Sequence, residues 1–186
     1  MSERVNRRQF LSINWEATVG FLGNFIVPQL EQDRDFFRPP GAHDELEFLT
    51  SCTRCGKCKE SCPEEIISLF TMADGAKLLN TPYINPNVKP CTICEICADV
   101  CPTDALSITS FLEERSIGKA VVHEQSCIAF QEVMCDYCVR SCPEQGAIQL
   151  IKGKPVINEE SCTGCGLCVA SCISGNNAIL IYPKES

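Results

Sequence analysis

The run Cys52-Thr-Arg-Cys55-Gly-Lys-Cys58-Lys-Glu-Ser-Cys62-Pro63 decides how this chain is read. Three cysteines stand at every third position, a fourth follows after a slightly longer step, and a proline closes the run. The pattern returns at Cys91, Cys94, Cys97 and Cys101 with Pro102, and at Cys162, Cys165, Cys168 and Cys172, where Ile173 replaces the proline. A further version, Cys127, Cys135, Cys138 and Cys142 with Pro143, carries seven residues between its first two cysteines. Together the four groups use all sixteen cysteines of the 186-residue chain.

The spacing has a chemical reason. A tight loop with a thiolate at every third residue presents three sulfurs to three irons of one cube, and the fourth cysteine, expected at the start of a following helix, points to a neighbouring cube. Four [4Fe-4S] clusters are therefore expected, with all sixteen cysteines as iron ligands. A disulfide scaffold would suit the cysteine content, but such scaffolds are short and secreted, and cysteines crowded this closely pair poorly over long range. Zinc sites pair two Cys-x-x-Cys knuckles across a longer spacer, often with histidine; His43 and His123 both lie outside the groups. A redox Cys-x-x-Cys pair would use two cysteines and leave the others idle.

Clusters change what the length implies. A two-cluster unit needs only about sixty residues, because the metal sites replace much of a hydrophobic core. Two such units fit residues 46–115 and 116–186, leaving 1–45 as an N-terminal extension. The net charge of −8 argues against nucleic acid, which would call for a basic patch, and suits docking to a basic surface on a redox partner. No apolar run approaches the roughly 20 residues of a membrane span.

Two readings compete for the N-terminus. Arg7-Arg8-Gln9-Phe10-Leu11 resembles a twin-arginine export signal, but Asn14 and Glu16 interrupt the apolar stretch behind it and no small-x-small cleavage site precedes Pro28. Leu11, Trp15, Val19, Leu22 and Ile26 instead form one apolar stripe of an amphipathic helix, capped by Ser12 or Asn14 and ending near Pro28. A retained docking helix is favoured, and with it a cytoplasmic location; periplasmic export is the alternative. Residues 31–45, with Pro39, Pro40 and Gly41, read as an extended linker.

Internal repeats set the fold. Gly118-Lys-Ala-Val-Val-His-Glu-Gln-Ser-Cys127 and Gly153-Lys-Pro-Val-Ile-Asn-Glu-Glu-Ser-Cys162 are nearly the same phrase. Short β-rich runs come after the second, third and fourth groups, beginning at Ala105, Ala147 and Ala178. The unit is strand, cysteine loop, short helix starting near the proline, strand. The predicted class is α+β: two bacterial two-cluster ferredoxin-like modules with few short strands and short helices, preceded by a helical extension. Ile148 to Ile157 reads as a hairpin turning at Lys152-Gly153, which favours pairing group three with four and one with two. Between groups one and two, Ile66 to Leu79 reads as helical, followed by a loop holding Pro82, Pro86 and Pro90. Sequential pairing puts Cys101 with Cys52, Cys55 and Cys58; Cys62 with Cys91, Cys94 and Cys97; Cys172 with Cys127, Cys135 and Cys138; and Cys142 with Cys162, Cys165 and Cys168. A nested arrangement, group two with three inside one with four, stays open. The insertion in group three holds Ile128, Phe130, Val133 and Met134, an apolar loop suited to shielding a cluster or meeting a partner.

Group three from Cys127 to Pro143, together with Arg38-Pro-Pro-Gly-Ala42, Glu47-Phe-Leu-Thr-Ser-Cys52 and Thr81-Pro-Tyr83, resembles the ferredoxin-type proteins of the NapF, NapG and MauM group over residues 38–186. The resemblance implies four cubanes and a role beside a molybdenum or tungsten oxidoreductase or a quinol-linked chain, with members on both sides of the membrane. The expected function is that of an electron-transfer subunit relaying single electrons between a catalytic subunit and a second redox partner, such as a flavoprotein or quinone-linked subunit. An assembly or redox-maintenance factor for a molybdoenzyme is the alternative. A catalytic role of its own is disfavoured, since no spare nucleophile, phosphate loop or histidine constellation offers a substrate site; both histidines read as surface or structural.

Overall fold

The computed structural model describes residues 36–113, 115–174 and 177–184. The amphipathic stripe and the twin-arginine motif lie outside these residues. Asp35–Ser186 form one compact unit. Its buried side chains make a continuous core running from Phe37 and Phe48 through Ile84 and Phe111 to Ile148 and Ile181. The two cysteine-bearing halves are thus parts of one body.

Within each half the chain is tied by antiparallel pairs. In the C-terminal half, β3 (Gly118–Val122) before group three pairs with β6 (Ile179–Pro183) after group four. β4 (Ile148–Ile151) and β5 (Lys154–Ile157) form the hairpin between the groups. Its turn at Lys152 and Gly153 has φ of 52° and 78°, and two consecutive positive φ angles match the right-handed twist of the flanking strands.

The N-terminal half repeats this plan in reduced form. β1 (Ser68–Leu69) pairs with β2 (Pro82–Tyr83) between groups one and two. The outer pair has shrunk to a single bridge between Ala42 and Leu106. Contrary to the helical expectation, Ile66 to Leu79 is not a helix: it holds β1, a short 3-10 turn at Met72–Asp74 and further turns. Thr71 and Asp74 exchange side-chain to backbone bonds that close that turn, and Gly75 at φ 100° stops it from continuing. After Ala105 the expected strand is limited to the bridge at Leu106, and the chain turns into a helix at Ile108–Glu113.

The stretch assigned to a linker is also packed rather than free where it is described. Phe37 bridges Ile84, and Arg38, Pro39, Pro40 and Gly41 are all buried. The Arg38 guanidinium donates to both Glu45 carboxylate oxygens at 3.0 and 2.6 Å, to Thr81 Oγ1 at 3.1 Å and to the Pro82 carbonyl at 2.6 Å. It also stacks 4.4 Å from the Phe48 ring centre. A buried guanidinium is tolerable only with such a set of acceptors. This one fastens the helix Glu45–Ser51 to β2, directly ahead of group one.

Candidate metal centres

Groups one, two and four are shaped by left-handed backbone on both sides of their second cysteine. Arg54 and Gly56 flank Cys55 with φ of 58° and 77°, Ile93 and Glu95 flank Cys94 with 53° and 68°, and Gly164 and Gly166 flank Cys165 with 69° and 83°. Two positive φ angles around one cysteine curl the loop into a bowl, so that thiols three residues apart face a common point and backbone N–H groups turn inward. The Ile93 N–H, for example, lies 3.4 Å from Cys91 Sγ. A single helical turn comes next in each group: Lys57–Glu60, Ile96–Asp99, Tyr137–Ser141 and Leu167–Ala170. These turns carry the third cysteine and finish at or just before the fourth. The short helix expected to start near the proline instead ends before it, since proline disfavours helical backbone in the residue it follows; group four, with Ile173 in that place, has its turn in the same position.

The thiols gather into quartets that mix neighbouring groups. Cys52, Cys55, Cys58 and Cys101 line one cavity. Cys91, Cys94, Cys97 and Cys62 line a second. Cys162, Cys165, Cys168 and Cys142 line a third. Cys127 is buried in a small separate core with Ala129 and Ala178, against which Cys135 and Cys172 pack; Cys138 is close enough to feel the charges of Cys127 and Cys135. We refer to these sites as I, II, IV and III, after the group supplying three of the thiols. Three bowls, each lined by four soft thiol donors with no histidine among them, have the donor set of a cubane cluster. A zinc ion would instead draw its four donors to within about 2.3 Å of one point.

Burial governs the thiols. It pushes Cys58, Cys91 and Cys138 up to about 11 and Cys97 and Cys168 up to about 12, with neighbouring thiolates adding to the effect. Cys55 moves the other way, held below its ordinary value first by the Lys57 backbone N–H, with the Lys57 charge assisting. Cluster binding needs thiolates, so loading these sites releases protons.

The sites form a row that does not follow the sequence. Cys58 and Cys97 are close enough to influence each other, and their helical turns pack together, which joins I to II. Cys138 and Cys168 join III to IV in the same way, and Ser141 Oγ and Ser171 Oγ share a 2.6 Å hydrogen bond there. Between the halves, the Cys91 N–H donates to the Cys165 carbonyl at 2.7 Å, and the two thiols are near enough to interact. Site II therefore meets site IV, and the row reads I, II, IV, III.

Other residues build this seam. The Asn87 carboxamide donates to the Ile181 carbonyl at 2.9 Å and accepts from its N–H at 2.7 Å, across 94 residues. Gly166 lies so close to Pro86 that a Cβ would stand 2.2 Å from the Pro86 carbonyl oxygen. Nothing in the sequence distinguishes Asn87 from an ordinary turn residue. The group-three insertion divides its roles: a 3-10 turn at Ile128–Gln131 buries Ala129 beside Cys127, whereas Val133 is half exposed and Met134 is 98% exposed. His43 meets Ser110 and lies 3.8 Å from Glu47, and His123 meets Tyr182, so both sit in local polar contacts.

Comparison with known proteins agrees with this chemistry. The 4Fe-4S dicluster domain family matches residues 51–105, 90–145 and 133–176. The methylamine utilization ferredoxin-type protein MauM of Paracoccus denitrificans is 37% identical over 201 residues, covering 98% of this chain and 89% of its own length. The ferredoxin-type protein NapG of Escherichia coli is 38% identical over 162 residues, covering 78% of this chain and 70% of its own length. The ferredoxin-type protein NapF of the same organism is 34% identical over 139 residues, covering 73% of this chain and 79% of its own length. With its sixteen cysteines in four quartets, the chain belongs to the 4Fe-4S dicluster family, among the ferredoxin-type electron-transfer proteins of the MauM, NapG and NapF group, and carries four [4Fe-4S] clusters.

Proposed function

We propose that the protein is the electron-transfer subunit of a larger oxidoreductase complex and relays single electrons along the row I, II, IV, III. The observation that carries this reading is the seam, where the Cys91 N–H to Cys165 carbonyl bond sets two cradles of different halves side by side. A chain that only stored clusters would have no need to join its halves at the cluster ligands. Each [4Fe-4S] cluster supplies one-electron chemistry; the protein contributes placement, burial and charge. In this reading the ligands are the four quartets named above, sequentially paired, and the chain has no substrate site of its own.

Likeness to NapG and MauM supports a partner enzyme with its own redox cofactor, and a molybdenum or tungsten oxidoreductase is the class we favour. The missing small-x-small site before Pro28 supports a retained N-terminus and a cytoplasmic location; the mass of the isolated chain decides this, because export by the twin-arginine route removes the leading residues. The functional test is reduction of the copurified complex by the partner's substrate. A relay bleaches its cluster absorbance within turnover. A chain that stays oxidised while the partner turns over refutes the relay and favours the assembly role.

A further inference from the structure

Site I ends the row, and its mouth differs in charge from the linings of the two internal sites. At site I the loop Thr53–Lys59 leaves Cys55 exposed, with Arg54, Lys57 and Lys59 exposed around it. Arg54 and Lys57 line the cradle, and no carboxylate does. The lining of site II includes Glu64 and that of site IV includes Glu144. Arg54 also donates to the Lys77 carbonyl at 3.2 Å, which brings another exposed lysine residue beside the loop. A chain of net charge −8 has thus gathered cations at the mouth of one terminal cradle. The second exposed thiol, Cys94 of site II, has Glu95 as its neighbour instead.

We propose that the Thr53–Lys59 loop is the docking port through which site I exchanges electrons with the acidic face of a protein electron carrier. The inference rests on the relay reading and adds to it which end takes which partner. Cations around an exposed cluster ligand attract an acidic surface, raise the encounter rate and fix the approach. They act here although the molecule as a whole repels anions. The effect is local and strongly screened, since the Debye length falls from about 30 Å at 0.01 M salt to about 3 Å at 1 M.

The test uses the four-cluster protein and two defined probes. In stopped flow, ferricyanide takes one electron from the reduced protein, becoming ferrocyanide as a cluster is oxidised. The rate should fall at least about tenfold as ionic strength rises over that range. The triple variant R54Q/K57Q/K59Q should lose this dependence, whereas Lys57→Arg should keep it. Poly-L-glutamate, as an acidic polypeptide, should bind the wild-type protein at low salt and the triple variant at least about tenfold more weakly. A ferricyanide rate that rises with salt, as net charge alone dictates, overturns the port. So does equal poly-L-glutamate binding by both proteins, or low-salt dimerisation that the triple variant abolishes, since a second copy then occupies the patch. A protein whose clusters fail to reduce at all refutes the relay itself; four reducible clusters with the wrong salt dependence refute only the port.

Discussion

Replacing Asn87 by alanine tests whether the two halves are held together for electron transfer. Its carboxamide makes two bonds to the Ile181 backbone, at 2.9 and 2.7 Å, and Ile181 is 2% exposed. The alanine variant leaves one buried N–H and one buried C=O without partners, at about 1–3 kcal/mol each. Because Asn87 is itself only half-buried, water recovers part of this, and the expected loss is about 2–4 kcal/mol. Asn85, whose side chain accepts from the nearby, exposed Asn87 N–H, provides the control at about 0.5–1 kcal/mol.

Cluster loss makes unfolding irreversible, so the quantity to measure is the rate at which cluster absorbance disappears in urea. If the seam is unmade in the transition state, 2–4 kcal/mol corresponds to a rate roughly 30- to 1000-fold faster for Asn87→Ala. The same variant, before it unfolds, should reduce clusters III and IV more slowly when electrons are supplied at site I. A change in rate below about threefold would place the seam's strength elsewhere and refute the role given to this side chain.

Other contacts carry their own consequences. Gly166→Ala should prevent close approach to Pro86, and its φ of 83° adds strain; the expected result is four-cluster protein with slowed transfer between sites II and IV, read by freeze-quench EPR. Arg38→Met removes a guanidinium shared by Glu45, Thr81 and Pro82 and should cost about 3 kcal/mol or more, seen as faster loss of site I absorbance. Cys101→Ser should damage the cluster bound by Cys52, Cys55 and Cys58; damage to the cluster of Cys91, Cys94 and Cys97 instead would refute sequential pairing. In the cluster-free chain, burial raises Cys97 and Cys168 to about 12 from an ordinary 9.0. The unfolded chain therefore loses these protons first, and stability should fall as pH rises from about 9 towards 12. The loaded protein, whose thiolates are already ligated, should show no such fall in alkaline denaturation.

What could be read from the sequence was the local chemistry. Group membership follows from spacing, and the hairpin from Lys152-Gly153, because both depend on residues within a few positions of each other. The helical reading of Ile66 to Leu79 failed because an apolar period without caps was outweighed by Thr71, Asp74 and Gly75, which close a turn. The linker reading failed at Arg38 because two prolines and a glycine mark loops in general, whereas acceptors at Glu45, Thr81 and Pro82 become apparent only when β2 is in place. The seam was beyond reach, since Asn87 and Ile181 lie 94 residues apart and neither has a marked composition around it.

The order of the row explains why the four groups differ. Sites II and IV are internal, and group four is the one whose three leading cysteines are all buried. Its two left-handed positions must also admit another backbone: a Cβ on Gly164 would stand 2.4 Å from the Gly118 carbonyl oxygen, and one on Gly166 2.2 Å from that of Pro86. Glycine at both positions is therefore a requirement of packing as well as of φ. At site I the equivalent positions are Arg54 and Gly56, and at the first no neighbour excludes a long side chain, so a cation stands at the surface. Group three, at the far end, accepts an insertion whose tip projects outward, with Val133 half exposed and Met134 98% exposed. Terminal groups thus vary in charge and length, while the internal group four is pinned by its contacts. A cation substituted at Gly166, which faces Pro86 of the other half, should accordingly separate the halves, whereas one at Met134 should leave cluster content and stability unchanged; equal tolerance at both positions, measured by iron content and the urea unfolding rate, would show that the row is not ordered as I, II, IV, III.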